Sequence, residues 1–181
     1  MPKANSFQDL FLDEARELYS AEAQLIQALP RLAEAATSDE IRATIESHFE
    51  ETRTHIQRLD EAFELLDETP GGRHCADMAG ILVDASTLLE EEDDCWALDD
   101  RIVTTAQRAA HYEIAAYGSL IASATTLGAE EIADILRRTL EEEKAAEVML
   151  QSLAEERLNG DPAGSRRAVT DQPTSAGPLS A

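Results

Sequence analysis

The chain has 181 residues, enough for one domain with a substantial core. Only 4% of its residues are aromatic, and glycine and proline are sparse, which favours helices over sheets. A net charge of −22 excludes a nucleic-acid-binding surface, which needs clustered cations. No apolar run could span a membrane and no apolar signal core follows the first residues, so we expect a cytoplasmic protein without membrane contact.

Two long helices are predicted in the first part of the chain. The first begins at a capping signal, Ser6, and runs to about residue 36. The second, about 39–67, follows a capping box that we predict from Thr37 to Glu40. Because the break between them is short, these helices should be antiparallel neighbours.

A long connection, about residues 68–94, separates this hairpin from a second one and contains a short helix of its own. The second hairpin consists of helices at about 95–127 and from 130 to about 158, and Gly128 suits the turn between them. The predicted fold is therefore all-α, a four-helix bundle with an extra short helix in the crossover connection. We assign residues 1–158 to this helical domain and residues 159–181 to a disordered tail rich in Pro, Gly, Ser and Thr.

Each long helix carries an acid in the middle of its otherwise apolar inward stripe. The stripe of the second helix is apolar at both ends and polar at its centre: Ile41, Ile45, His48, Glu51, His55, Leu59, Ala62, Leu66. The other three stripes are interrupted by Glu22, Glu113 and Glu143. Buried charges are rare without a partner, because removing their water costs several kcal/mol.

The spacing of these acids repeats between the two hairpins. Glu22 precedes Glu51 by 29 residues, and Glu113 precedes Glu143 by 30. In each hairpin a second polar group follows one turn later, namely His55 after Glu51 and Glu147 after Glu143. Similar spacings across short turns place the four acids at similar height in the bundle.

We predict that six groups converge: Glu22, Glu51, His55, Glu113, Glu143 and Glu147. An oxygen-rich set with one imidazole suits two divalent cations such as iron, with manganese as the alternative. Two such ions would balance most of the charge of five carboxylates, which would otherwise repel one another and stay partly protonated. We expect Glu51 and Glu143 to bridge the ions and the other four groups to be terminal ligands.

Simpler interpretations of the same residues stay open. A glutamate on a helix stripe is usually a boundary residue whose head reaches water. His48 is interpreted as a core histidine or a supporting group rather than a ligand. His111 is expected on the outer or flanking face, and Glu142 is interpreted as a solvated member of a charge run.

Five segments resemble the YciE/YciF-type ferritin-like proteins. They occur in order over about residues 6–158: Tyr19-Ser20-Ala21-Glu22, His48-Phe49-Glu50-Glu51-Thr52, Cys75-Ala76-Asp77-Met78-Ala79-Gly80, His111-Tyr112-Glu113-Ile114-Ala115-Ala116-Tyr117-Gly118 and Leu140-Glu141-Glu142-Glu143-Lys144-Ala145. The resemblance implies a ferritin-like bundle related to rubrerythrins, a di-iron centre, homodimers and a role in stress responses. The chain departs from the usual di-iron pattern, because no histidine has a glutamate three residues before it.

Two functions from different classes follow. The first is a di-iron oxidoreductase of peroxidase or ferroxidase type, with dioxygen or peroxide as the small oxidant. The alternative is a non-catalytic helical dimer that binds metal only structurally or not at all. Iron storage is a weaker third option, since nothing in the sequence indicates a cage.

Overall fold

The computed structural model describes residues 6–88 and 95–160, and every regular element in that part of the chain is a helix. The helices are α1 (Phe7–Ala35), α2 (Asp39–Leu65), α3 (Ala76–Leu88), α4 (Cys95–Thr126) and α5 (Glu130–Gly160). The prediction of four long helices with a short one in the connection is confirmed. Of the predicted tail 159–181, two residues belong to α5 and residues 161–181 lie outside the described part of the chain.

The helices pack as two antiparallel hairpins, α1–α2 and α4–α5, with α3 lying against α4 and α1. Contacts across the hairpins show how they are combined. Tyr117 meets Glu22 while Asp99 meets Thr37, so α1 and α4 run in opposite directions. The α2–α5 pair is antiparallel as well, since His55 meets Glu142 and Arg58 reaches back to Thr139. The middles of all four long helices therefore lie at one level.

Local signals set two of the helix ends as the sequence predicts. The Ser6 hydroxyl accepts a hydrogen bond from the Asp9 backbone N–H at 3.1 Å and caps α1. After α4, Gly128 adopts a left-handed conformation with φ of 75°, and the Ala129 N–H closes the turn onto the Ala124 carbonyl at 2.9 Å. This tight turn makes α4 and α5 antiparallel.

The predicted capping box at the start of α2 is wrong. Ser38 caps α2 by accepting a hydrogen bond from the Ile41 N–H. Thr37 is not available for that role, because its hydroxyl and its N–H both donate to the buried carboxylate of Asp99, at 2.8 Å each. Asp99 also accepts from the Ser38 N–H at 3.1 Å and pairs with Arg157 at 3.4 Å. One acid of α4 thus ties the α1–α2 turn to the end of α5.

The core is apolar above and below the central level. Leu18, Leu25 and Leu29 of α1 pack with Ile45 and Leu59 of α2 and with the inward residues of α4 and α5, all almost fully buried. Each buried leucine or isoleucine contributes about 1.5–3 kcal/mol through removal of its surface from water. Between these apolar layers lies a layer of buried polar side chains. Within the described residues, no helix is long and apolar enough to cross a membrane.

Candidate metal centre

Five ionisable side chains lie together in the middle of the bundle and are almost completely buried. Glu22 from α1, His48 and His55 from α2, Glu113 from α4 and Glu143 from α5 are each exposed by 2% or less. Their positions follow from the helical repeat, since each lies on the same inward stripe as the leucines and isoleucines above and below it. The bundle thus contains three carboxylates and two imidazoles where an apolar layer would be expected.

These residues form two groups that share one carboxylate. Glu22, His55 and Glu113 offer ligand atoms that lie within 4.8 Å of one another, and His48, Glu113 and Glu143 do the same. Such spacing allows one cation to contact three side chains in each group. Because Glu113 belongs to both groups, the arrangement has the form of two adjacent ion positions joined by one carboxylate.

Most of the polar atoms in this layer lack hydrogen-bond partners among the described residues. They are Glu22 Oε2, His55 Nδ1, both nitrogens of His48 and both carboxylate oxygens of Glu113 and of Glu143. A buried polar atom without a partner costs about 1–3 kcal/mol, and more when it is charged. Carboxylate oxygens and imidazole nitrogens that face one another in a buried layer fit divalent cations, which take these atoms as ligands.

The imidazoles face the carboxylates edge to edge. His55 Nδ1 lies 3.1 Å from Glu143 Oε1 and 3.7 Å from Glu22 Oε1. His48 Nε2 lies 3.7 Å from Glu143 Oε1 and 3.9 Å from Glu113 Oε2. Glu143 therefore lies close to the histidines of both groups, although only Glu113 is a member of both.

Two side chains outside the layer, those of Tyr117 and Glu142, contact members of it. Tyr117, fully buried on α4, donates its hydroxyl to Glu22 Oε1 at 2.5 Å. On the α5 side, Glu142 Oε2 lies 3.1 Å from His55 Nε2, and both oxygens of Glu142 accept hydrogen bonds from Arg58. Glu142 is therefore paired as well as partly solvated, with 39% of its side chain exposed, and its interpretation as a merely solvated charge-run residue missed these partners.

The protonation of the layer follows from burial and mutual repulsion. Burial raises the pKa of Glu113 well above its usual range, and the charges of Glu22 and Glu143 add to that shift. Burial lowers the pKa of His55, but the facing carboxylates of Glu143 and Glu22 outweigh it and raise the pKa to about 10. Burial likewise raises the pKa of Glu143, yet His48 and His55 reverse the effect and lower it to about 2. Without metal, these shifts favour a proton on Glu113 and a charged imidazolium at His55.

Two of the predicted ligands lie outside both three-residue groups. Glu51 is half-buried between His48 and His55 on α2, and burial raises the pKa of its carboxyl. Glu147 lies one turn beyond Glu143 and faces the exposed His111, with Nε2 and Oε1 3.4 Å apart. Of the six residues predicted to converge, the structure brings together Glu22, His55, Glu113 and Glu143 and adds His48. The bridging carboxylates predicted were Glu51 and Glu143, whereas the carboxylate common to both groups is Glu113.

The added residue, His48, had a signal in the sequence. It precedes His55 by seven residues, which is two helical turns and places both rings on one face. The partnership of Glu142 with His55 and Arg58 had no comparable signal, because it depends on how α2 and α5 are rotated against each other.

The chain matches one protein family and a set of relatives over most of its length. Residues 6–162 match the family described as Domain of unknown function (DUF892). Protein YciF of Escherichia coli strain K12 is 35% identical over 155 residues, which cover 85% of this chain and 93% of YciF. The family match extends over all five helices.

Solved structures agree with the fold. The crystal structure of the E. coli stress protein YciF matches with a TM-score of 0.83 at 34% identity, covering 87% of this chain and 99% of that one. YcfI of Rhodopseudomonas palustris, described as a candidate structural protein, matches with a TM-score of 0.79 at 39% identity and covers 83% of this chain and 98% of its own. A protein of Xanthomonas campestris pv. campestris shares the fold at 19% identity, with a TM-score of 0.67 over 85% of this chain and 94% of that one.

Proposed function

Since this chain belongs to the DUF892 family and is homologous to the stress protein YciF, we propose that its bundle centre binds two divalent metal ions, iron in the first place, and reacts with dioxygen or peroxide during stress. The family membership confirms the predicted resemblance to YciE/YciF-type ferritin-like proteins. The metal, the reaction and the place in a stress response are the proposal.

The observation that carries this proposal is the set of unpartnered ligand atoms arranged in two groups around Glu113. Charge supports it as well. Glu22, Glu113, Glu143 and the half-buried Glu51 carry −4 together when ionised, and two divalent cations carry +4. Two bound cations would therefore remove the cost of uncompensated charge in this buried layer.

Each residue has a place in the proposed centre. Glu22 and His55 would hold one ion and His48 and Glu143 the other, with Glu113 between them. Glu51 lies on the half-exposed side and would complete the coordination there. The prediction that Glu147 is a ligand stays a prediction, and it requires that Glu147 leave His111.

The chemistry supplied by bound iron would be reduction of the oxidant: one hydrogen peroxide takes up two electrons and two protons, and its O–O bond breaks to give two waters. The side chains contribute a dry, rigid layer and a negative field that favours cations. They also release protons, because Glu113 and His55 must lose theirs before they can act as ligands.

Metal content and redox activity test the proposal directly. Protein purified without chelator should contain about two ions per chain, and the Fe(II) form should consume peroxide or oxidise Fe(II) with dioxygen. A Glu113→Gln variant should lose both activities, whereas Glu141→Gln, at an exposed site on α5, should retain them. Equal activity of the two variants would remove the central layer from the reaction.

The second candidate function is a non-catalytic structural protein. It is favoured by the description of the relative YcfI as a candidate structural protein, and by Val148 and Met149, adjacent apolar side chains on α5 that are 65% and 58% exposed. The two functions differ in their response to a chelator. The structural protein keeps its melting temperature after chelation, whereas the metal protein loses stability.

Assembly and location complete the proposal. We expect a homodimer, as the family resemblance implies, in the cytoplasm and without membrane contact; the acidic composition argues against contact with nucleic acid. Light scattering of the purified chain measures the oligomeric state. A monomeric mass at micromolar concentration would contradict the dimer and leave the metal centre unaffected.

A further inference from the structure

The imidazole of His55 has different neighbours on its two nitrogens. Nδ1 faces inward, toward Glu143 and Glu22, and has no hydrogen-bond partner within the described chain. Nε2 faces the other way and lies 3.1 Å from Glu142 Oε2. The ring therefore stands between the central layer and a carboxylate that belongs to neither ligand group.

The acceptor character of Glu142 decides which nitrogen keeps its proton when His55 is neutral. Arg58 donates to Glu142 Oε2 at 2.5 Å and to Oε1 at 2.8 Å. A carboxylate held by both arms of a guanidinium is ionised and has only acceptor sites. Because Glu142 can only accept, His55 Nε2 must be the donor in their contact.

Glu142 is itself fixed in place. Arg58 packs between α2 and α5 with about a fifth of its side chain exposed, and its guanidinium also donates to the Thr139 hydroxyl at 3.2 Å. The pair crosses from α2 to α5 one turn away from the metal layer. A charge-assisted, two-point contact of this kind holds its geometry better than a single hydrogen bond does.

We propose that Glu142, clamped by Arg58, is a positioning residue that keeps the proton of neutral His55 on Nε2 and so presents the Nδ1 lone pair to a metal ion. This inference rests on the proposed function, because it describes how one ligand of that centre is prepared. A lone pair on Nδ1 would face the carboxylates of Glu143 and Glu22 across 3.1 and 3.7 Å, an arrangement that only a cation between them makes favourable.

The contact with Glu142 also distinguishes His55 from His48, the other histidine of the layer. Neither nitrogen of His48 has a hydrogen-bond partner within the described chain, so nothing there selects its tautomer. The tautomer of neutral His55 is therefore fixed before metal binds, whereas the tautomer of His48 is not. Partners behind a histidine ligand commonly change metal affinity by about 10–100-fold when they are removed.

The tautomer can be observed directly in the unaltered protein. The chain labelled with ¹⁵N and loaded with Zn(II) alone should show His55 coordinated through Nδ1 with a proton on Nε2, in long-range ¹H–¹⁵N spectra. A proton on Nδ1 with coordination through Nε2 would overturn the inference. Resonances of His55 are assigned by comparison with a His55→Gln variant.

Zn(II) affinity in two matched variants supplies a second measurement. Glu142→Gln keeps the side-chain volume but leaves one acceptor oxygen for both Arg58 and His55, and it should weaken Zn(II) binding by about 10–100-fold. Glu141→Gln changes the neighbouring exposed acid, which pairs with Lys144 on the surface, and should stay within about twofold of the unaltered chain. Equal affinities in the two variants would overturn the role of Glu142.

These outcomes separate the inference from the function on which it rests. Binding is counted above that of Glu113→Gln, which subtracts Zn(II) held by surface acids. If the unaltered chain shows no binding above this background, the metal centre itself is refuted and the inference with it. If it binds Zn(II) with the opposite tautomer of His55, the centre stands and only the role of Glu142 is lost.

Discussion

Helix α4 buries two acids, and the bundle treats them in opposite ways. Asp99, 2% exposed near the start of the helix, accepts three hydrogen bonds from Thr37 and Ser38 and pairs with Arg157. Glu113, fully buried 14 residues later and so about 21 Å along the axis, has no hydrogen-bond partner for either oxygen within the described chain. The same bundle supplies hydrogen-bond donors to the carboxylate of Asp99 and, among the described residues, none to that of Glu113.

This contrast indicates that the polar atoms without hydrogen-bond partners in the central layer have a functional role. A backbone turn and an arginine are enough to satisfy Asp99, so the fold can neutralise a buried acid from its own groups. At the centre the neighbours of Glu113 are two more carboxylates and two imidazoles. Such a layer is stable only with added protons or cations, which is the expected property of a metal site and not of a structural tie.

Changing Glu113 to Gln should have the largest effect on this contrast. Because the raised pKa favours the neutral form of Glu113 without metal, and the amide resembles that form in shape and charge, we expect the metal-free free energy of unfolding to change by about 1 kcal/mol or less. The stabilisation by metal, about 2.7 kcal/mol when the free ion is at 100 times its dissociation constant, should disappear. Urea unfolding with and without Mn(II) measures both terms.

The control for this experiment is Glu141→Gln, which removes one charge from an exposed site of α5 and should keep the full metal stabilisation. Metal stabilisation that survives in Glu113→Gln would mean that the ion binds elsewhere, and the two acids of α4 would then differ for another reason.

Changing Asp99 to Ala should give the reverse pattern. Three hydrogen bonds and an ion pair are lost and the donors of Thr37 and Ser38 are left unsatisfied, so we expect the free energy of unfolding to fall by about 3 kcal/mol. The increment that Mn(II) adds should remain as in the unaltered chain. Asp134→Ala, which breaks an exposed contact with Arg137, should cost under about 0.5 kcal/mol.

An Asp99 variant whose metal stabilisation falls in proportion to its stability would show that the two layers are coupled. The comparison between a structural and a functional acid would then not hold.

Metal binding should release protons at the centre. Burial and the charges of Glu22 and Glu143 raise the pKa of Glu113, and the facing carboxylates raise that of His55 to about 10, whereas Glu143 stays ionised with a pKa of about 2. Loading should therefore release at least the proton of His55, and affinity should rise by about tenfold per pH unit between about pH 7 and pH 9, and more steeply where Glu113 is protonated too. Calorimetry in two buffers of different ionisation enthalpy counts these protons. An affinity that does not change with pH would contradict the protonated layer.

The same groups determine how the stability of the metal-free protein changes with pH. The pKa of His55 is raised from 6.5, so the stability from its contact with the carboxylates is complete below about pH 6.5 and is lost as pH rises through about 10. The depressed pKa of Glu143 gives stability above its usual value of 4.5, which is lost as pH falls through about 2. Both contributions are largely present at neutral pH.

Much of this contrast could be predicted from the sequence, because helical periodicity fixes which side chains face the core. The stripes that contain Glu22, Glu113 and Glu143 are buried as predicted, and a break of three residues set the levels of the two hairpins. His48 lies on the corresponding stripe of α2 but was interpreted as a core histidine or a supporting group, since one imidazole on an apolar face is usually a core residue. Its repeat with His55 at seven residues was the stronger indication.

The contacts between helices could not be predicted in this way. Whether Glu142 is solvated or paired depends on the rotation of α5 against α2, which a single stripe does not determine. The role of Thr37 was missed for a similar reason: its partner Asp99 is 62 residues away, and a local capping box satisfies the same pattern of residues. Local rules predict what is buried, and the partner of a buried group is a property of the packed bundle.

The smallest effect is expected from removing the Tyr117 hydroxyl, which donates to Glu22 in the central layer. Tyr117 donates to Glu22 Oε1 at 2.5 Å, and burial together with the charge of Glu22 raises its pKa well above the usual value, so it remains a donor at every pH of interest. In Tyr117→Phe, Glu22 loses that donor and can rotate, and we expect metal affinity to fall by about tenfold. Tyr112→Phe deletes the same atom at the contact with Cys75, outside the layer, and should leave metal affinity unchanged. Titration of both variants with Mn(II) measures the difference, and equal affinities would mean that Glu22 is positioned by the backbone of α1 alone. Either result shows how far the central layer depends on protein donors of the kind that satisfy Asp99.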